Sequence, residues 1–179
     1  MYSEALKIVD AEGLEALSMR RLAREVGVEA ASLYHHVPNK DALIDGMVIK
    51  VRSEVRVPDP VPEDWIDLFV AIFAEFRRVN AEHPNLVMYA ARGVDSDPQP
   101  SGFDFLRQIG FSAEDAIGLW QSMIAFSTGF SLFSSGFAAA GTAGMDPALA
   151  ERMSEWRDET CDRTLRTIIE GYARTLPTR

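Results

Sequence analysis

Four side chains that can form hydrogen bonds lie close together in the N-terminal third of the sequence: Ser32, Tyr34, His35 and His36. They surround Leu33, the one large aliphatic residue in this stretch. Hydroxyl, phenol and imidazole groups can bond to base edges and to phosphate oxygens. They are too numerous for a segment that only fills a core, so the stretch predicts a polar recognition surface.

Catalysis and metal binding have little support in the sequence. His35 and His36 are adjacent and therefore project from different faces of a helix, so they cannot chelate a metal as an i, i+4 pair would. The single cysteine, Cys161, excludes an intramolecular disulfide and a thiolate cluster. No glycine-rich phosphate loop is found, and His83 has no evident nucleophile as a partner. We expect no enzyme activity, no bound metal and no cofactor.

Two short helices must position the polar side chains. Ser18 can cap the first helix, and Gly27 can adopt the positive φ that ends it. The second helix is predicted from about Ala30 to His36, with Leu33 as its buried anchor. Two helices joined by so tight a turn are typical of a helix-turn-helix, whose second helix lies in the DNA major groove.

Lys40 adds a cation at the start of the next helix, for which Asn39 is the expected N-cap. A cation at this positive end costs a few tenths of a kcal/mol by roughly the magnitudes for helix ends, and a bound phosphate would reverse the sign. Lys40 is therefore predicted to contact phosphate, with a solvated surface lysine as the alternative. Arg20 can form a surface ion pair with an acidic residue such as Glu25 or Asp10.

The charge is distributed unevenly along the chain. The formal net charge is −9, with 18 basic and 27 acidic residues, which argues against a protein that coats nucleic acid non-specifically. Residues 1–56 contain 8 of the basic and 9 of the acidic side chains, whereas residues 57–179 contain 10 and 18. The N-terminal third is nearly neutral and the remainder would repel DNA, which orients the molecule on its target.

The remaining helices follow from apolar spacing and from proline and glycine. A first helix is predicted from Tyr2 to about Glu12, and we expect it to be truncated at Met1 because it has no basic lead-in. The proline-rich run 57–64 predicts a domain boundary between residues 1–56 and 57–179. Further helices are predicted from Asn39 to about Arg56, and at 65–82, 86–91, 103–108, 113–139, 147–156 and from about 158 onwards. No strand is predicted, so the fold class is all-α.

The helix that begins near Ala113 carries an apolar seam at spacings of three and four. No formal charge occurs from Ala116 to Met145, and an apolar run of this length is sufficient for a membrane span. Several Ser, Thr and Gly residues on this helix make it a poor lipid-facing surface, and burial between subunits is the better explanation. The predicted dimer interface consists of Leu119, Phe126, Phe130, Phe133 and Phe137, with Leu165, Ile168, Ile169 and Tyr172 of the last helix.

A surplus of aromatic and aliphatic residues after the linker predicts a ligand pocket, with plain core packing as the alternative. The candidate lining residues are Phe69, Phe73, Phe76, Arg77, Tyr89, Phe103, Leu106, Trp120, Met123 and Phe126. Arg77, Gln121 and Ser127 are the candidate polar anchors for a small, largely apolar effector.

The chain resembles the TetR family of transcriptional regulators over nearly its whole length. The resemblance is carried by Leu17-Ser-Met-Arg-Arg-Leu-Ala, Gly27-Val28, Ser32-Leu33-Tyr34-His35-His36-Val37 and Asn39-Lys40-Asp41-Ala42-Leu43. A looser similarity to the tetracycline-repressor subgroup includes Gly129-Phe130 and Ile168-Ile169-Glu170-Gly171.

The resemblance implies an N-terminal three-helix DNA-binding domain followed by a helical domain for ligand binding and dimerisation. It implies a homodimer on a palindromic operator in double-stranded DNA, controlled by an unknown small-molecule effector. Arg20 would reach a base edge, most plausibly guanine, and Lys40 a phosphate. The recognition-helix contacts would be Ala30, Ala31, Ser32, Tyr34, His35 and His36, with the two alanines restricted to thymine methyl groups. Tetracycline is not the expected effector, since the magnesium-coordinating set is not found around His83.

We therefore expect a cytoplasmic, ligand-responsive regulator, most plausibly a repressor, without a membrane partner. The alternative is a helical dimerisation or small-molecule-binding module that does not bind DNA.

Overall fold

The computed structural model describes residues 1–90, 102–140, 146–148, 151 and 158–177, and within these ranges all regular structure is helical. The α-helices are α1 Tyr2–Glu12, α2 Met19–Val26, α3 Ala30–His36, α4 Lys40–Arg52, α5 Trp65–Glu82, α6 Val87–Ala90, α7 Gly102–Ile109, α8 Ala113–Ala140 and α9 Asp158–Ala173. Short 3₁₀ turns occur at Leu14–Ala16 and Pro84–Leu86.

The chain forms two compact units. The first consists of Met1–Val55 with the described part of Arg78–Asp97, and the second of Arg56–Arg77 with the described part of Pro98–Arg179. The last turns of α5 thus belong to the first unit although they follow the linker. The domain division at residue 56 stays a proposal, and the structure adds this later segment to the first unit.

Helix ends in the first unit are set by local chemistry. Gly13 ends α1 with φ 83°, and Gly27 ends α2 in the left-handed conformation with φ 77°. The Ser18 hydroxyl oxygen accepts a hydrogen bond from the Arg21 backbone N–H at 3.2 Å, and the Asn39 side chain accepts one from the Ala42 N–H at 2.8 Å. The predicted caps of α2 and α4 are confirmed.

The core of the first unit is built from the inner faces of α1 to α4 and is closed by residues from α5 and the turn after it. Leu22, Leu43 and Met47 are fully buried in this core, and Val79 and Leu86 pack into it from the later segment. Burying large aliphatic side chains in this way provides most of the stability of so small a unit.

The second unit is built from α5, α7, α8 and α9. Ser112 and Asp115 form the predicted capping interaction, with the Asp115 N–H 3.0 Å from the Ser112 hydroxyl. A Cβ atom at Gly118 would lie 2.8 Å from the Tyr172 hydroxyl, so glycine allows α9 to pack closely on α8. This contact joins the start of α8 to the end of α9, and the two helices are therefore antiparallel.

Several predicted boundaries differ from the observed ones. Helix α4 ends at Arg52 rather than near Arg56, and the helix predicted from Leu86 begins as a 3₁₀ turn at Pro84. Pro84 lacks a backbone N–H and separates this turn from α5. The predicted loop 95–102 and the predicted helix 147–156 fall largely outside the described residues.

By length and composition, Ala113–Ser135 of α8 could cross a membrane, with a mean hydropathy of 1.2. The apolar residues Ala116, Leu119 and Met123 are instead buried in the core of the second unit. Three polar residues, Ser127, Thr128 and Ser131, are also buried along the same helix. Intrachain packing thus accounts for part of the apolar composition of this helix, since 33% of the apolar window is buried.

Candidate nucleic-acid interface and ligand core

Helix α3 is short and is held by its two neighbours in the chain. The left-handed Gly27 turns the chain after α2, and the Val28 N–H donates to the Ala23 carbonyl oxygen at 2.9 Å. Leu33 then inserts into the core, where it is 3% exposed. One buried side chain and one closed turn fix the orientation of the helix, so its other faces are free to carry functional groups.

The polar side chains of α3 face solvent. Tyr34 is 51% exposed. The exposed set, which we name the α3 face, is Ala31, Ser32, Tyr34, His35 and His36, with Ala30 half-buried at its edge. The structure therefore brings the predicted recognition-helix residues onto one accessible surface.

Arg20 and Arg21 have different environments. Arg21 forms an ion pair with Glu12, with one guanidinium nitrogen 2.9 Å from a carboxylate oxygen. The hydrogen bond from Arg21 holds the pKa of Glu12 below its usual value. Arg20 is exposed, and within the described part of the chain it has no ion pair with either predicted alternative, Glu25 or Asp10. The observed ion pair thus involves a different arginine and a different carboxylate, and the proposed DNA contact of Arg20 stays a prediction.

Lys40 is half-buried and donates a hydrogen bond to the Leu14 carbonyl oxygen at 3.1 Å. The ammonium group thus ties the first residue of the 3₁₀ turn Leu14–Ala16 to the start of α4. This position differs from the solvated surface lysine considered as the alternative. An ammonium group has three N–H donors, so the bond to Leu14 leaves donors for the predicted phosphate contact.

His83 joins three parts of the first unit. Its Nδ1 lies 2.9 Å from Asp10 of α1, and its Nε2 lies 3.4 Å from Glu54, just after α4. Beside it, the Asn85 side chain donates to the Val9 carbonyl oxygen at 2.8 Å. These contacts anchor the end of α5. Sequence reasoning missed them because the partners are 29 to 76 positions away and share no pattern.

Within the described ranges, the side chains of Glu54, Glu82 and His83 are close enough to hold a metal ion. Both carboxylates already form ion pairs, Glu54 with Lys50 at 3.1 Å and Glu82 with Arg78 at 2.6 Å. These pairs stabilise the carboxylates without a metal, so we assign none to the group.

The predicted pocket residues converge in the second unit with one exception. Phe73 is packed edge-on against both Phe76 of its own helix and Trp120 of α8, with ring centroids 5.9 Å apart in each case. Phe69, Leu106 and Met123 are buried in the same cluster, and Phe103 and Phe126 pack against it. Tyr89 instead packs against the core of the first unit, so its assignment to this pocket was wrong. The residues just after Pro84 belong to the first unit, which the sequence alone did not indicate.

The polar anchors proposed for the pocket divide into buried and exposed residues. Arg77 is 5% exposed and forms an ion pair with Asp162 of α9. The Arg77 Nε and Nη1 atoms and the Ser127 hydroxyl are buried and have no hydrogen-bond partner among the described residues. Gln121 is exposed, which contradicts its proposed role as an anchor.

The predicted dimer interface also divides. Leu119, Leu165 and Ile169 are 0% exposed and belong to the intrachain core, so their assignment to an interface was wrong. Spacing identifies an apolar face but does not show whether the same chain or a partner covers it. Phe133 is 52% exposed, and four other predicted residues are half-buried: Phe126, Phe130, Ile168 and Tyr172. The Phe137 side chain lies outside the described part of the structure.

Comparisons with known proteins give a consistent result. The family model for bacterial regulatory proteins, tetR family, matches residues 2–47. An HTH-type transcriptional regulator of Saccharopolyspora erythraea is 32% identical over 158 residues, which cover 86% of this chain and 67% of that protein. Tetracycline repressor protein class E of Escherichia coli is 30% identical over 138 residues, which cover 72% of this chain and 64% of that protein. The chain thus spans about two thirds of the length of these relatives.

Solved structures extend this similarity to almost the whole chain. The crystal structure of the Streptomyces coelicolor TetR family protein ActR in complex with actinorhodin has a TM-score of 0.72 and 30% sequence identity. The match covers 97% of this chain and 94% of that one. It includes both the helix that carries the α3 face and the helices α5, α7 and α8. The rings of these three helices form what we name the aromatic cluster: Phe69, Phe73, Phe76, Phe103, Trp120 and Phe126.

Proposed function

The chain belongs to the TetR family of bacterial transcriptional regulators, and from this premise we propose that it is a ligand-responsive repressor. It would bind a palindromic operator as a homodimer and would be released by a small, largely apolar effector. Its relatives are regulators rather than enzymes, which agrees with the lack of catalytic groupings in the sequence.

The exposed α3 face is the observation that carries the proposal. A major groove accepts one α-helix, and the exposed side chains of α3 can reach base edges and phosphates when Leu33 faces away. We propose that Arg20 contacts guanine, that Ala30 and Ala31 contact thymine methyl groups, and that Lys40 contacts phosphate. Ser32, Tyr34, His35 and His36 would supply the remaining hydrogen bonds.

Dimerisation is needed because the binding unit has little positive charge. Residues 1–56 are close to neutral, so phosphate neutralisation contributes less than in a basic DNA-binding domain. A single unit should therefore bind weakly, and a second copy would double the base contacts. We propose that the partly exposed rings of α8, including Phe130 and Phe133, and the outer face of α9 form the interface. The two recognition helices would then lie about one helical turn of DNA apart.

The effector chemistry is proposed from the aromatic cluster in the second unit. Rings from α5, α7 and α8 are the surroundings that an aromatic or apolar ligand requires. ActR, a protein of this fold, has been crystallised in complex with actinorhodin, which supports a bound ligand in this chain as well. The repressor role is supported by the similarity of the chain to tetracycline repressor protein class E. For the effector to act, it must bind the non-DNA state more tightly than the DNA-bound state.

A duplex-binding measurement tests the proposal. Palindromic segments upstream of the gene, and random duplexes of equal length, are titrated with the full chain at moderate salt and followed by fluorescence anisotropy. We expect one palindrome to bind at least about 1,000-fold more tightly than random duplex, within the usual range for specific binding. Equal affinity for all duplexes would leave the alternative, a helical module without DNA binding.

A matched pair of variants tests the α3 face in the same assay. Tyr34→Ala removes an exposed ring, so we expect about tenfold weaker operator binding with little change in the free energy of unfolding. Lys7→Ala removes a surface cation of α1 that pairs with Glu4, and we expect it to leave specific binding nearly unchanged. Equal losses for the two variants would contradict the assigned binding surface.

A further inference from the structure

Two buried stripes in the second unit change from apolar to polar along their helices. On α5, Phe69 and Phe73 are followed at the next spacing of four by Arg77, which is also buried. On α8, the buried residues Leu119 and Met123 are followed in the same way by Ser127. Polar residues thus continue both faces that enclose the aromatic cluster.

Antiparallel packing brings these polar positions to one level. The contact between Gly118 and Tyr172 fixes the register of α8 and α9. Ten residues further along α8 is Thr128, and ten residues back along α9 is Asp162. Because both helices rise equally per residue, Thr128 and Asp162 lie at about the same height. Asp162 binds Arg77, which completes a set that we name the polar layer: Arg77, Ser127, Thr128 and Asp162.

The polar layer contains hydrogen-bonding groups without partners. One Arg77 nitrogen donates to Asp162, but Nε and Nη1 have no acceptor among the described residues, and the side chain is 5% exposed. The hydroxyls of Ser127 and Thr128 are also buried and have no hydrogen-bond partner in the part of the chain that the structure describes. By contrast, the hydroxyl of Ser131, one turn later on α8, donates to the Ser127 carbonyl oxygen at 2.9 Å. A hydroxyl on this helix can therefore bond to the backbone of the preceding turn, which those of Ser127 and Thr128 do not do. Four buried polar atoms without hydrogen-bond partners at one height destabilise the folded unit unless a ligand forms hydrogen bonds with them.

We propose that the polar layer binds an anionic oxygen, a carboxylate or phenolate, carried by an aromatic effector. This inference rests on the proposed function only in taking the second unit as the effector-binding part. A guanidinium group donates and cannot accept, and both hydroxyls can also donate, so the group that satisfies them must be an acceptor. Ionised oxygens form the strongest such bonds, and the aromatic cluster would hold the body of the ligand.

Asp162 does not remove the need for this acceptor. Its side chain is 36% exposed, whereas that of Arg77 is 5% exposed, so water can solvate the carboxylate but not the cation. The pair could instead be purely structural, with Asp162 holding Arg77 between α5 and α9. Substitution of the two partners separately distinguishes these roles, because a structural pair is broken equally from either side.

The test measures how the full chain discriminates two shape-matched probes without DNA present. 2-Naphthoate carries the ionised carboxylate, and 2-naphthamide replaces one acceptor oxygen with an N–H donor that faces the Arg77 donors. Calorimetry with the unchanged protein should show at least about tenfold tighter binding of the carboxylate, as expected for one charged hydrogen bond. Binding of neither probe, or equal binding of both, would overturn the inference.

Three variants identify the group responsible. Arg77→Met should abolish the preference for 2-naphthoate, whereas Asp162→Asn should keep or increase it because a neutral amide oxygen competes less than a carboxylate for the guanidinium. Arg166→Met is the matched control, because Arg166 pairs with Asp67 across the same two helices but is more exposed. It should leave the preference unchanged. If Arg77→Met retains the preference, or Asp162→Asn loses it to the same extent, the anchor is not Arg77. Should Arg77→Met not fold, Ser127→Ala provides the second measurement and should reduce the preference several-fold.

The outcome is independent of the duplex assay. Preference for the carboxylate without any operator binding would support the anionic site and reject the repressor. Operator binding that an uncharged aromatic compound releases, without preference for 2-naphthoate, would support the repressor and reject the anionic site.

Discussion

In the first unit the side chains of the α3 face are exposed to water, whereas in the second unit Arg77, Ser127 and Thr128 of the polar layer are buried in protein. Exposed side chains exchange contacts with water for contacts with DNA and change the free energy of unfolding little. Their identity can therefore serve DNA selectivity without affecting the fold. Buried groups without partners lower the stability of the fold until a ligand satisfies them. This difference implies that DNA binding should depend on how α3 is held, while effector binding should also stabilise the second unit.

Removal of the anchor of α3 should have the largest effect on the first unit. Leu33→Ala deletes the buried contact of a helix seven residues long, and we expect it to lower the free energy of unfolding by about 2–5 kcal/mol. Operator affinity should fall strongly although no residue of the α3 face is changed. Urea denaturation and duplex anisotropy measure the two quantities.

Leu119→Ala is the control for this prediction, since Leu119 is also fully buried but lies in the second unit. Leu119→Ala should lower the free energy of unfolding by a similar amount. The molecules that remain folded should still present an intact α3 face and bind the operator. Wild-type operator affinity in Leu33→Ala would contradict the claim that this anchor positions the binding surface.

The smallest expected effect concerns the ion pair between Arg21 of α2 and Glu12 of α1. The hydrogen bond from Arg21 lowers the pKa of Glu12 in the folded chain, so the bond stabilises the fold at neutral pH. That stabilisation is present above the unfolded pKa of about 4.3 and is lost as the pH falls through the lower folded value. Glu12→Gln should therefore make unfolding less dependent on pH below about 4.3, as measured by urea denaturation across the acid range. Glu15→Gln, an exposed neighbour, is the control, and an equal change in both variants would exclude the Arg21 bond as the cause.

Local chemistry explains which parts of the fold could be predicted from the sequence. The two ends of α2 and the start of α4 follow from Ser18, Gly27 and Asn39, which act within a few residues of themselves. The α3 face could be predicted for the same reason, because Leu33 alone indicates which side of a short helix is buried.

Long-range partners could not be predicted in this way. Arg77 and Asp162 are 85 positions apart, and His83 and Asp10 are 73 apart. Each pair depends on how helices from distant parts of the chain pack. The seam of α8 shows a related limit, because the spacing of Leu119 identified an apolar face while its cover, α9 of the same chain, follows from tertiary packing. The same reasoning applies to Tyr89, whose helical neighbours did not indicate which core it joins.

The affinity of the full chain for a complete operator and for the same duplex with one half-site scrambled tests the central claim most directly. A nearly neutral binding unit that depends on dimerisation predicts at least about 100-fold weaker binding when one half-site is lost, since each mismatched base pair costs about 1–3 kcal/mol. Addition of a releasing effector should then weaken binding to the complete operator. Equal affinity for the two duplexes would contradict a homodimer that reads DNA through two copies of α3.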